Sequence, residues 1–345
     1  MDLKKYKKRF MESYQLKQSK NGNYLARNDG EKVYLYDLNK DCLEIAVFED
    51  LNYVQEICFS DNEEMLALKS IEPKVAIYNM ETKTMILEIE ISNANPTQEG
   101  KFCFSKDHKY LLSIIQLNGL IESFVVIDLI KKSYKIIFQL EQFRFYEIIY
   151  VSWRDIYIVL AKDIKKGKTF VFEYNSKKNN YKRIQLSFDF SLIYPLAQLQ
   201  RFLCVINNKI YIIKGNYKTV LASFSPIDNT QKTLNYFDIV SDSPSLQKMF
   251  ENEEELNQLK ESIDDDLLNV SVEGNIEIIT LSHDLKYLAV ATNDVIKLFM
   301  FQGFELIKTI KIYNISDLSF SFNNKLLLIG TWNYGYIYSI EDILK

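Results

Sequence analysis

A chain of 345 residues with 42 Lys and Arg against 46 Asp and Glu, formal charge −4, has room for a sizeable core. It offers no bulk electrostatic reason to bind nucleic acid or an anionic membrane. Apolar residues at 47% and charged residues at 26% exclude a disordered chain, and 10 Gly with 5 Pro exclude collagen-like and linker-dominated architectures. The outlier is 23 Tyr and 22 Phe against two Trp, a balance that suits pleated, half-buried surfaces and leans towards sheet.

The N-terminal MDLKKYKKRF is basic but has no apolar core, so it does not read as a secretory leader. No uncharged apolar run approaches the length of a bilayer span. Cys42, Cys58, Cys103 and Cys204 form no CxxC pair and no metal-ligand spacing. Each sits in an apolar run, as a small hydrophobe of a reducing compartment does. The expectation is a soluble, intracellular, cytoplasmic protein.

Along the chain one pattern recurs. It reads SKNGNYLA from Ser19, SDNEEMLA from Ser60, SKDHKYLL from Ser105, SHDLKYLA from Ser282 and SFNNKLLL from Ser321. Weaker copies are SWRDIYIV from Ser152 and AQLQRFLC from Ala197. The starts are 41, 45, 47, 45, 85 and 39 residues apart, close to what a four-stranded propeller blade occupies. An apolar segment precedes each polar turn (Val54 to Phe59, Ile276 to Leu281), and a short apolar strand follows it. Next come a strongly apolar strand, as at Val33 to Tyr36, and an amphipathic one, as at Thr84 to Ile91 or Leu306 to Ile312. Four short strands per unit, with no segment long enough for crossover helices, predict an all-β repeat of antiparallel sheets. One such sheet cannot cover both its faces, whereas several arranged around an axis can.

The apolar strand, Phe-Ser, Asp/Asn turn and Leu-rich strand resemble the WD-repeat family of β-propellers. The resemblance is carried by Phe59-Ser60-Asp61, Phe104-Ser105-Lys106-Asp107 and Phe320-Ser321-Phe322-Asn323. The dipeptide that names the family is eroded to Tyr36-Asp37, Tyr78-Asn79, Ile127-Asp128 and Tyr338-Ser339. The family's Gly-His pair is missing. His108 and His283, the only two His, fall in the wrong turn, so the family's His/Asp/Ser/Trp tetrad cannot form in full. The seven starts count out a single seven-bladed propeller over 1–345, and the resemblance implies that residues before Met11 supply the last blade's fourth strand.

The 85-residue gap is read as an acidic insertion at 243–269 rather than an eighth blade. Its apolar positions fall near helical spacing, and Ser243-Pro244-Ser245 could start a helix. Glu251, Glu253, Glu254, Glu255, Asp264, Asp265 and Asp266 lie in a stretch with net charge −7, either a docking arm for a basic partner or a solvated loop. Asp264 to Asp266 lack the alternating ligands and glycine of a calcium loop.

Lysines concentrate in the fourth unit, at Lys162 to Lys168 and at Lys177 to Arg183. The two groups flank the strand at Thr169 to Glu173, which separates loop tips by roughly 20 Å, so they read as two hairpins rather than one patch. They leave open a phosphoinositide-binding propeller of the PROPPIN type. That class is marked by a paired-arginine loop, and the comparable segment here, Leu298 to Gly303, carries no cation. A propeller enzyme with an axial site stays open too, although no GxSxG, P-loop, GxGxxG or HExxH occurs.

Trp332-Asn333-Tyr334-Gly335 reads as a hairpin tip, with Trp332 and Tyr334 as interface anchors, the alternative being that Trp332 folds back onto a blade. Trp153 reads as blade packing. The expectation is a non-catalytic protein–protein interaction scaffold, a subunit or adaptor of a larger complex. It needs no cofactor or metal, its partners are other proteins, and nucleic acid, membrane and small-molecule substrates are not expected.

Overall fold

The repeated serine sets the turn inside each unit. In the computed structural model the Oγ atoms of Ser19, Ser60, Ser105 and Ser282 accept the backbone N–H five residues on, at 2.8–3.0 Å. The N–H three residues on, at Gly22, Glu63, His108 and Leu285, bonds back to the serine carbonyl. Those third-position residues and Asn324 are left-handed, with φ between 56° and 80°. A buried hydroxyl that accepts the N–H closing the turn is why serine recurs where the polar residues between do not.

The structure describes residues 7–72, 74–91, 101–117, 121–186, 189–215, 217, 220–224, 232–235, 269–272, 275–292, 295–302 and 304–345. After β1 (Lys8–Met11), blade one is β2 (Gln15–Gln18), β3 (Tyr24–Asn28), β4 (Val33–Asp37) and β5 (Leu43–Phe48). Blade two is β6 (Val54–Phe59), β7 (Met65–Ser70), β8 (Lys74–Asn79) and β9 (Met85–Glu90). Blade three is β10 (Phe102–Phe104), β11 (Tyr110–Leu117), β12 (Ile121–Asp128) and β13 (Ser133–Gln139). Blade four is β14 (Phe143–Val151), β15 (Ile156–Asp163), β16 (Thr169–Asn175) and β17 (Asn180–Gln185). Blade five is β18 (Leu192–Leu196), β19 (Arg201–Ile206), β20 (Lys209–Lys214) and β21 (Val220–Phe224). A two-stranded pair follows, β22 (Lys232–Asn235) with β23 (Asn269–Val272). Blade six is β24 (Ile278–Leu281), β25 (Tyr287–Ala291), β26 (Val295–Met300) and β27 (Leu306–Lys311). Blade seven is β28 (Ile315–Phe320), β29 (Leu326–Thr331) and β30 (Tyr334–Ser339), with β1 on its outer edge. Among the described residues these are seven four-stranded antiparallel sheets, the blades of a seven-bladed β-propeller. The short α1 (Ile340–Leu344) is the one α-helix among them.

All seven predicted starts fall in the turn between a blade's first and second strands. β1 pairs with β30, Lys8 opposite Ile337 and Met11 opposite Tyr334. The eroded dipeptide keeps a turn function. Asp37, Asn79 and Asp128 end their blades' third strands, and their side-chain oxygens accept N–H groups of the following turn at 2.8–3.0 Å.

Blades one to five lie in one unit of the chain. Middle strands are covered on both faces, so β15 is buried at seven of eight positions, while outer β17 is exposed at five of six. Within this unit each pair of neighbouring blades encloses its own apolar cluster. Leu35 and Tyr78 sit between blades one and two, and Leu111 and Ile77 between two and three. Between three and four the cluster is phenylalanine-rich. Phe124 stacks on Phe138 at 5.0 Å, and Phe138 on Phe172 at 4.9 Å, pairs worth about 0.5–1.5 kcal/mol each beyond their burial. Between four and five, Trp153 packs on Phe202 at 5.2 Å, the blade-packing role its position predicts. Blades six and seven, in the second unit, share the cluster around Leu298, Leu327 and Ile329.

The predicted acidic insertion at 243–269, with Glu251, Glu253, Glu254, Glu255, Asp264, Asp265 and Asp266, lies outside the described residues apart from the backbone of Asn269. What is described is the antiparallel pairing of the backbone on either side, Asn235 opposite Asn269. Among the described residues no helix is long and apolar enough to cross a membrane.

Candidate interaction surfaces

Trp332 occupies the two-residue turn between β29 and β30 and is 68% exposed. The turn is fixed from beneath: Thr331 Oγ1 accepts the N–H of Asn333 at 3.3 Å and of Tyr334 at 2.9 Å. The Trp332 backbone N–H donates to the Asn314 carbonyl, and Glu12 N–H to that of Asn333. The 12–14 segment runs close over the same end of the sheet. A Cβ on Gly330 would stand 3.3 Å from the Tyr14 carbonyl and 3.2 Å from Asp317 Cβ, so glycine is what permits the approach. Met11 at 61% and Tyr14 at 44% exposure complete an apolar tip on a rigid support. Tyr334 departs from the sequence reading. It is the first residue of β30 rather than part of the tip, half-buried, with the Arg9 guanidinium 3.7 Å above its ring.

A second arrangement gathers charged side chains of blades one to four. Lys101 Nζ meets Glu56 Oε2 at 3.0 Å, and buried Lys69 donates to the Ile114 carbonyl at 2.6 Å, bridging blades two and three. Burial pushes the Lys69 ammonium down to about 8 against the pull of Glu56 and Glu122. Burial alone would raise the Glu56 carboxyl, yet the charges of Lys101, Lys17 and Lys69 hold it below the usual range. Glu147 is raised, by burial first and by Glu56. Glu122 accepts the Phe145 N–H and lies 3.9 Å from Arg144. This cluster sets carboxylate against ammonium. Among the described residues no group of three or more His, Cys, Asp or Glu is placed to hold a metal ion.

The thiols are not activated. Burial drives Cys58 up to about 12 and raises Cys103 and Cys204, which leaves all three protonated at neutral pH. Of the two turn histidines, His283 is exposed. His108 is half-buried, its ring edge-on to Phe104 at 6.4 Å.

The fourth-unit lysines divide as predicted at the ends of β16. Lys165, Lys166 and Lys168 lie in or beside the turn before it, and Lys177 and Lys178 in the turn after. Lys182 and Arg183 are different: they belong to β17, opposite Glu173 and Phe172. The sequence reading missed which other loops share the Lys177 end. The first-to-second-strand and third-to-fourth-strand connections of a blade lie at one end of its sheet. In blades three and four those segments, 105–109, 128–132, 152–155 and 175–179, carry seven Lys and Arg against three Asp. No linear signal marks this gathering, since the segments are up to 74 residues apart.

No protein-family model matches the chain, and no curated protein matches it. Among solved structures the chain is similar to the β-propeller domain of Cps50 (Swd1) from Myceliophteria thermophila. Identity is 11%, with 96% of this chain and 100% of that chain covered at a TM-score of 0.67. The fold is a β-propeller. The WD-repeat resemblance read from the serine turns is therefore one of architecture. With 1524 solved chains matching, the architecture by itself selects no partner.

Proposed function

We propose that the protein is a non-catalytic protein–protein interaction module, a subunit or adaptor of a larger intracellular complex. The observation that supports this reading is the blade-seven tip, where Trp332 stands exposed on a turn whose backbone is hydrogen-bonded on both sides. A turn backbone that is already ordered loses little entropy on docking, and exposed tryptophans are among the residues that dominate interface energetics. Met11 and Tyr14 widen the apolar contact. The acidic stretch with Glu251, Glu253, Glu254, Glu255, Asp264, Asp265 and Asp266 serves as a second contact in this reading, for a basic partner.

The test is quantitative affinity purification of the full chain and its Trp332→Ala form. The expected result is a stoichiometric partner retained by the parent chain and depleted about 30-fold or more by the substitution, as a loss of about 2 kcal/mol implies. Thermal stability should be unchanged, because the side chain supports no core contact. Equal recovery of every partner by both forms, or no partner with either, defeats the reading.

A further inference from the structure

The basic end of blades three and four surrounds a cavity of about 380 Å³, within the range of pockets that seat a ligand group. Its floor is apolar. Leu112 and Val126 face each other across β11 and β12, Ile137 adds to them from β13, and Tyr174 of blade four closes the far side. Tyr174 is fixed there, edge-on to Phe124 at 5.3 Å and donating its hydroxyl to Asn179 Oδ1 at 3.2 Å. The rim is cationic on both blades. Lys135 sits on β13 opposite Val126, and Lys178 lies in the β16–β17 turn one residue from Asn179 of the lining. Both are exposed, and among the described residues neither has a carboxylate partner, whereas Lys131 and Lys177 are paired with Asp128 and Asp155.

We propose that this groove between blades three and four takes an acidic peptide segment of a partner protein, one apolar side chain seated on Leu112, Val126 and Tyr174 and its flanking carboxylates on Lys135 and Lys178. The pocket's chemistry selects a peptide over a phosphate-bearing surface. Of the lining cations Lys131 is already paired with Asp128, so the groove offers a dianionic phosphate little beyond Lys135, while Leu112, Val126, Ile137 and Tyr174 offer an apolar seat. An apolar anchor with acidic neighbours satisfies both zones at once. Lysines without partners also steer such a segment in, an attraction that weakens as salt rises. The proposal rests on the reading of the protein as an interaction module. It uses different blades from the Trp332 tip, so failure of the tip and failure of the groove are read in separate experiments.

The test is fluorescence anisotropy on the full chain at low salt, with short synthetic Glu/Asp-rich peptides carrying one central Leu or Phe. Peptides with Ala at the centre and phosphatidylserine-containing vesicles are the comparison arms. The anchored peptides are expected to bind about tenfold or more tightly than the Ala peptides, and to lose about tenfold in Lys135→Glu/Lys178→Glu. Ser133→Trp, which fills the groove from exposed β13, should weaken them as strongly. All variants should melt like the parent, and Trp332→Ala should bind the peptides unchanged. The proposal is overturned if no anchored peptide binds below about 1 mM. It is equally overturned if the Ala peptides bind as well, if the double variant binds as well, or if vesicles bind through these lysines while peptides do not.

Discussion

Blades one and two and blades three and four use the same turns at the same end of their sheets with opposite charge. Segments 19–23, 37–42, 60–64 and 79–84 carry three Lys against six Asp and Glu; their counterparts in blades three and four carry seven cations against three Asp. In the first pair the acids bind one blade to the next. Glu63 accepts from Asn21 N–H at 2.8 Å and Asn23 Nδ2 at 2.6 Å, and Asp61 pairs with Lys20. In the second pair the link between blades is neutral, Lys106 N–H to Tyr157 Oη at 2.8 Å, and leaves cations over. The serine hydroxyl, the left-handed residue and the Asx cap are common to both because the backbone needs them. The charges between are free to differ, and it is there that two otherwise equivalent surfaces acquire different partners.

The largest effect expected from probing this contrast is at Glu63. The Glu63→Gln substitution should cost about 2 kcal/mol in urea unfolding, since a neutral amide turns a donor towards one of the donors that Glu63 now satisfies. The hydrogen bonds from Ser19, Asn23 and Asn21 outweigh burial and lower the Glu63 carboxyl. Its stabilisation is therefore complete above the unfolded carboxylate range and lost as pH falls through the lowered value. A Glu63→Gln variant as stable as the parent at pH 7 would remove the distinction between stitching and spare charges.

Next is Lys69, whose ammonium is lowered to about 8 from 10.5. Between those values the unfolded chain binds more protons than the folded one, so stability rises with pH. Relative to Lys69→Met, the parent should gain on the order of 2 kcal/mol from about pH 7.5 to 9.5. Parallel profiles for the two chains would show that the bridge to Ile114 lies in a wetter site than the fold indicates.

Ser60→Ala and Ser105→Ala should each cost about 1 kcal/mol, one from either region, because the same hydroxyl bond is lost. A cost in only one of them would mean that the shared frame is not shared energetically. The smallest effects are expected at the exposed lysines. Lys20→Ala breaks a pair more than half exposed on both sides and Lys135→Ala breaks none, so both should fall within about 0.5 kcal/mol of the parent.

The blade starts were legible because each is a backbone requirement written in one short stretch: Ser (Ala197 in blade five), a left-handed position, then an apolar strand. The closing strand before Met11 was legible because the last unit lacked its fourth strand. Tyr334 was misplaced because Thr331 closes the turn within two residues, and sequence cannot reveal that a threonine hydroxyl will cap. The groove at Lys135 and Lys178 and the charge set around Lys69 were not legible, for they form only when separate blades are brought side by side. Acid run and lysine runs could be counted in the sequence; which of them face one another could not.

The pairing of β1 with β30 joins Met11 to Tyr334 across almost the whole length of the chain. During synthesis on the ribosome, residues 8–11 therefore emerge long before their partners and wait, an unpaired edge, until residues 334–337 have left the exit tunnel. Contacts so distant in sequence form late and slowly. Blade seven is thus assembled from segments of the nascent polypeptide made far apart in time, and the Trp332 tip takes its final shape only after the six other blades have been translated.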